Sequence, residues 1–172
     1  MEVSLIVATS ADGFIAQDPS VPSTAWTSKE DAAWFAQKTK EIGICIMGKN
    51  TFETIGRPLP GRLTVVLSRE KTLSAPVEKN LLETFAGEPE TLLTNLAERG
   101  YGAAAICGGA SVYTQFMQKG LIDRLFITVE PIVFGDGVRL FNQPFDNMRL
   151  QLVATHPLSA QTVVLEYHVI KP

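Results

Sequence analysis

The chain has 172 residues, 45% of them hydrophobic, with a net charge of -3, which fits one compact domain over residues 1–172 and excludes a disordered chain. The faintly acidic balance gives no reason to expect nucleic acid or an anionic membrane as partner. No apolar run approaches the ~20 residues that span a bilayer.

In chain order, Val3 to Thr9 is an apolar strand ended by the turn Ser10, Ala11, Asp12 and Gly13. Its start, MEVSLIVAT, lacks a basic leader and reads as a strand and not a signal peptide, so the expected compartment is the cytoplasm. Gln17 to Ala25, with two prolines, is a loop. A helix is predicted over about Ser28 to Lys40, a strand over Ile44 to Met47, a short helix over Asn50 to Ile55 and a strand over Leu63 to Ser68. Ala75 to Phe85 is ambiguous, with a short strand near its end. Glu90 to Arg99 is an amphipathic helix with Pro89 in its first turn and Gly100 closing it. Strand Ala103 to Cys107, helix Ser111 to Gln118 and strand Arg124 to Glu130 follow. Leu150 to His156 and Thr162 to Val169 form a closing antiparallel hairpin. Strands alternating with helices in this way predict an α/β domain built on a mostly parallel, mixed sheet.

Two segments share one plan. IMGKNTFETIGRPLPGR, Ile46 to Arg62, and AAAICGGASVYTQF, Ala103 to Phe116, each run from an apolar strand through glycine into a helix. Such a turn aims backbone N–H groups and the positive end of a helix at whatever lies above it, usually a phosphate. A pair of such cradles suggests a ligand with several phosphates, first of all a dinucleotide. The adjacent Gly108 and Gly109 permit a backbone approach that side chains would block, and Thr51 can both cap its helix and bond a phosphate. Lys49 and Arg69 lie just past strand ends, where an extra phosphate could be neutralised, although charged strand ends are common. Arg62 reads either as a surface arginine or as a carboxylate anchor. Cys45 and Cys107 read as small core residues, and with His156 and His168 they assemble no metal-ligand spacing.

Asp31, Trp34 and Phe35 share a helical face that is otherwise apolar. Burial there would raise the pKa of Asp31 and suit it to grip a protonated, nitrogen-rich heterocycle. Ser28 and Asp31 also have capping-box spacing, as do Thr27 and Glu30. The residues alone leave both roles of Asp31 open.

Taken together, SLIVATSADGFIA, WTSKEDAAWF, IMGKNTFETIGRPLPGR, VVLSR, ICGGASVYTQF and LFITV resemble, in order, the blocks of dihydrofolate reductase. The likeness covers nearly the whole chain and favours the pocket role for Asp31. It implies that family's three-layer α/β fold and NADPH-dependent reduction of dihydrofolate to tetrahydrofolate, an oxidoreductase step of one-carbon metabolism and an antifolate target. Catalytic roles would fall to Asp31, which binds the pterin, Trp26, which holds a water, and Thr128, which supports the carboxylate. Ile6, Val7, Phe35, Ile55 and Leu59 would line the folate pocket, and Arg62 would hold the glutamate tail. Ala8, Ile15, Gly48, Lys49, Asn50, Thr51, Leu67, Ser68, Arg69, Cys107, Gly108, Gly109, Ala110, Ser111, Val112 and Tyr113 would hold NADPH, with a cis peptide joining the two glycines. No metal is implied, and a monomer or a homodimer is expected.

The chain departs from the pattern in its longer loop before Trp26, in Ala32 after the acid and in Cys107 before the glycine pair. GLIDRLFITVEPIVFGDGVRLF looks more like the reductase domain of riboflavin biosynthesis, which reduces a ribosylamino-pyrimidine. That enzyme usually lacks the acid and the PLPGR anchor, so Trp26, Asp31 and Arg62 together favour folate. A non-catalytic NADP-binding module is a third reading, and one with no need of a buried acid.

Overall fold

A computed structural model of the chain describes residues 1–69, 81–146 and 148–171. Its main sheet is built from β1 (Glu2–Ser10), β3 (Ile44–Gly48), β4 (Leu63–Leu67), β5 (Leu82–Phe85), β6 (Ala103–Ile106), β7 (Arg124–Glu130), β9 (Arg149–Pro157) and β10 (Val163–Ile170). The order is β5-β4-β3-β6-β1-β7-β10-β9. Every pairing from β5 to β7 is parallel, and β10 runs antiparallel to both β7 and β9. The predicted α/β class, mostly parallel sheet and closing hairpin are all present.

The inner strands are apolar on both faces because both faces are covered. On one face, Val3, Leu5, Ile44 and Ile46 join Leu92 and Leu96 of α3 (Pro89–Glu98) and Val112, Phe116 and Met117 of α4 (Ala110–Gln118). On the other, Ile6, Ala105 and Phe126 pack against Trp34 and Phe35 of α1 (Lys29–Ile42), while Cys45 and Met47 pack against Phe52 of α2 (Lys49–Ile55). This is the expected three-layer arrangement. α2 and α4 each begin one residue earlier than predicted, because Gly48 and Gly109 supply extended N-caps. α1 stops at Gly43, whose φ of 86° suits glycine, and whose N–H returns to Thr39 O. Of the ambiguous Ala75 to Phe85, the predicted short strand is β5, whereas residues 75–80 lie outside the described residues.

The sequence reading missed a second, small sheet in which β2 (Phe14–Ala16) pairs antiparallel with β8 (Val138–Arg139). Strands this short carry no periodicity of their own and exist only through the partner. They latch the loop after β1 to the segment after β7. Ala11 N–H donates to Ile132 O at 2.7 Å, and the Asp12 carboxylate accepts the N–H groups of Phe134 and Gly135 at 3.1 and 2.7 Å. Phe134 in turn stands edge-on to Trp26, with centroids 5.1 Å apart. At the open side of the sheet, β9 is an edge strand with Leu150, Leu152 and Val153 exposed.

Gly137 sits where β8 meets β2 at a φ of 155°, and a Cβ there would run into the carbonyl oxygen of Ala16. Gly137→Ala is therefore expected to cost about 1–3 kcal/mol. Denaturant unfolding measures the loss, and hydrogen exchange at Phe14 to Ala16 should show the latch opening first.

Candidate active site

The parallel strands bring the C-terminal ends of β1, β3, β6 and β7 to one edge of the sheet, and the predicted site residues gather along it. Ile6, Ala8 and Ser10 of β1 pair with Phe126, Thr128 and Glu130 of β7, and Ile6 and Phe126 pack on the α1 side. Val7, expected in the substrate pocket, turns its side chain to the opposite face, into the core against α3 and α4. Strand alternation dictates this, since Ile6 and Val7 cannot face the same way.

Asp31 occupies the first turn of α1 and is 8% exposed. Ser28 is the N-cap, and its Oγ accepts the Asp31 N–H at 3.1 Å. The alternative cap by Thr27 and Glu30 does not form. The hydroxyls of Thr128 and Thr27 lie near the Asp31 carboxylate. Burial pushes the Asp31 carboxyl above the ordinary carboxylate range; the two hydroxyls pull it down, and the nearby charge of Glu130 adds to the rise. Glu130, which the sequence reading did not single out, is only 2% exposed. Its signal was an acid at the third inward position of an apolar strand, after Phe126 and Thr128.

Among the described residues, two buried donors in this region lack a protein partner: Nε1 of Trp26 and Nε of Arg62. An unbonded buried N–H is costly, so both suit a bound water or ligand oxygen. Arg62 is no surface arginine. It is 5% exposed, its Nη1 donates to Ala36 O at 2.9 Å, and its guanidinium lies 6.0 Å from the centre of the Phe35 ring. Ile55 and Leu59, partly buried, pack against the cluster of Cys45, Met47 and Phe52 just beside it.

The two glycine cradles lie side by side. Gly48 N–H donates to Gly108 O at 2.8 Å, so the β3–α2 and β6–α4 turns are tied together. The Gly108–Gly109 peptide is cis, as the resemblance implied. A Cβ on Gly108 would stand 3.0 Å from Thr51, and one on Gly109 3.1 Å from it, so the space above the cradle exists only without side chains. Asn50 and Ser111 are exposed beside it, Ala110 partly so. Val112 is buried, with its Cγ2 3.2 Å from where a Gly48 Cβ would lie. Tyr113 is buried with its hydroxyl donating to Ile6 O at 2.9 Å, and burial raises its pKa well above that of a free phenol. Cys107 Sγ lies 3.6 Å from Ala105 O; burial pushes this thiol up, while its contact with Cys45 draws the Cys45 thiol down. Leu67 ends β4, Ser68 N–H bonds Phe85 O at 3.1 Å, and Arg69 is exposed beyond them. Lys49 lies 3.8 Å from Glu53, and Ile15 packs from β2 onto the core. Glycine-walled space at two helix starts, with cationic side chains at the strand ends, fits a dinucleotide carrying an extra phosphate.

The family model described as dihydrofolate reductase matches residues 2–160. The dihydrofolate reductase of Haemophilus influenzae is 35% identical over 129 residues, which span 74% of this chain and 71% of that protein. Among solved structures, a dihydrofolate reductase from Enterococcus faecalis complexed with NADP(H) superposes with a TM-score of 0.75 at 23% identity, covering 99% of this chain and 97% of that one. A pyrimidine reductase-like protein from Corynebacterium diphtheriae does so with a TM-score of 0.81 at 20% identity, covering 99% and 92%. The chain belongs to the dihydrofolate reductase family and is an NADP-dependent oxidoreductase.

Because the Asp31 pKa is raised in the folded state, the folded protein binds that proton more tightly than the unfolded chain does. The ionised carboxylate therefore costs stability as pH rises from the unfolded value of about 3.9 through the folded one. Asp31→Asn is expected to be more stable than wild type at neutral pH by about 0.5–2 kcal/mol. The gain should vanish below about pH 4, in urea unfolding at both pH values.

Proposed function

We propose, with family membership as the premise, that this protein reduces 7,8-dihydrofolate to tetrahydrofolate with NADPH in the cytoplasm. The observation that carries the proposal is the buried Asp31, whose helix is capped by other residues and whose carboxylate is thereby left to the pocket. A binding module has no use for such a group, because a buried carboxylate is a standing cost.

In this reading Asp31 accepts paired hydrogen bonds from the pterin, with Thr128 and Thr27 fixing its orientation. The unpartnered Nε1 of Trp26 holds a water at the ring. Phe35, Ile55, Leu59 and Ile6 wall the ring and exclude bulk water. Arg62, already held by Ala36 O, offers its remaining donors to the substrate's glutamate carboxylate. Gly48 to Thr51 and Cys107 to Tyr113 would hold the pyrophosphate and nicotinamide, and Ser68 and Arg69 the 2′-phosphate. When bound, NADPH supplies the hydride that reaches C6 of the pterin. The protein's part is positioning and water exclusion, with N5 protonated through a water and not by Asp31 directly. Closure of the loop before Trp26 would shield that step.

The second reading is reduction of a ribosylamino-pyrimidine, favoured by the likeness in fold to the pyrimidine reductase-like protein. NADPH oxidation followed with each substrate in parallel separates the two. Dihydrofolate turnover is expected, and Asp31→Asn should keep NADPH affinity while losing about 10²–10⁴-fold in rate. Turnover of the pyrimidine alone would overturn the folate reading. Arg62→Met should raise the KM for dihydrofolate by about tenfold or more, the loss of a charge-assisted bond, with NADPH affinity unchanged.

A further inference from the structure

A helix that begins against a buried strand must have its first N–H groups satisfied. In a capping box both bonds are local: the N-cap hydroxyl takes the N3 N–H, and the N3 carboxylate returns to the N-cap N–H. In α1 only the first is local, since Ser28 Oγ takes the Asp31 N–H. The Ser28 N–H donates to Glu130 Oε1 at 2.9 Å, across 102 residues of chain, and Ser28 Oγ donates to the same oxygen at 2.8 Å. The other oxygen of Glu130 accepts from Thr162 Oγ1 at 3.2 Å. Glu130 thus stands in for the N3 carboxylate, and Asp31 is spared for the pocket. Glu130 and Thr128 are two residues apart on β7 and so face α1 together. One strand therefore holds the turn that carries Asp31 and also places the Thr128 hydroxyl near its carboxylate.

Among the described residues, other charged or titratable groups lie around this face, with His168 of β10 in register beside Arg124 at its far end. From α1 come Asp31, Glu30 at the mouth of a cleft that Glu130 also lines, and Lys38 over the Phe126 ring. Beyond β1, Asp12 lies against the Ser10 hydroxyl. Further along the same face, Glu166 of β10 is paired with Arg124 of β7 and His156 of β9 at 2.6 and 2.8 Å. The β9–β10 turn presents only Ser159, Gln161 and Thr162 to the cleft.

We propose that Glu130 is a positioning residue of the active site, which clamps the Asp31 turn of α1 to β7 and acts on Asp31 through that turn and through its own charge. The inference rests on the reductase reading above. Two variants separate its parts. Glu130→Gln keeps an acceptor for Ser28 and removes the charge; Glu130→Asp keeps the charge and withdraws the carboxylate by one methylene. The Asp31 carboxyl is followed in the free protein by carbon NMR of isotope-labelled aspartate, assigned with Asp31→Asn. It should titrate about one unit lower in Glu130→Gln and close to wild type in Glu130→Asp. The Kd of dihydrofolate, from quenching of tryptophan fluorescence, should rise about tenfold in Glu130→Asp and stay within about threefold of wild type in Glu130→Gln. NADPH affinity should not change in either. An Asp31 midpoint unmoved in Glu130→Gln, or moved equally by both variants, overturns the role of the charge. An unchanged Kd in Glu130→Asp overturns the clamp. If one variant fails to fold, the other still decides its part. A wild-type protein that reduces no dihydrofolate would refute the function proposed above, while the Asp31 midpoint would still report on Glu130.

Discussion

Parallel pairing of β1 with both β6 and β7 is the constraint from which the site follows. Parallel strands cannot be joined by tight turns, so each connection crosses over the sheet and returns to the same starting edge. All their C-terminal ends then open on one crevice, where a ligand meets several loops at once. In this chain that edge carries the polar end of the β7 face, the two glycine turns and the start of the loop after β1. Moving β7 by one residue against β1 would send Thr128 and Glu130 to the other face and leave Asp31 opposite apolar side chains.

The main sheet was largely legible because strands buried on both faces read as continuous apolar runs, as β1 and β3 do. The helices were legible through local punctuation such as Pro89 and the glycines at 48 and 100. What could not be read depends on partners distant in sequence. The Phe14–Ala16 strand exists because Val138–Arg139 lies beside it. Spacing rules offered two local caps for α1, but the structure takes one bond from Ser28 and the other from Glu130. The pocket role of Asp31 was favoured by resemblance to a family, since its own neighbours in sequence are compatible with either use. Val7 shows the opposite limit: resemblance placed it in the pocket, while simple alternation turns it away.

A dihydrofolate reductase and a pyrimidine reductase-like protein share this fold, so the fold does not choose the substrate. On the folate reading proposed above, the choice lies in a few side chains set into that edge: a buried acid, an indole N–H, and a buried guanidinium whose bond to Ala36 O directs it. Each is a cost to the empty protein, through desolvation or an unsatisfied donor, that a suitable ligand offsets.

The open side of the sheet carries a different kind of cost. β9 exposes Leu150, Leu152 and Val153 on a strand whose outer backbone has no neighbour in the sheet, a template for pairing with foreign chains. Its protection lies at its ends, in the charge of Arg149 and the missing N–H of Pro157, and in its own bulge at Val153, facing Glu166 and Tyr167, that breaks its regularity. A substitution that straightens that ladder or removes either end guard would leave the folded state as stable as before. It would show itself instead as a chain that precipitates at high concentration.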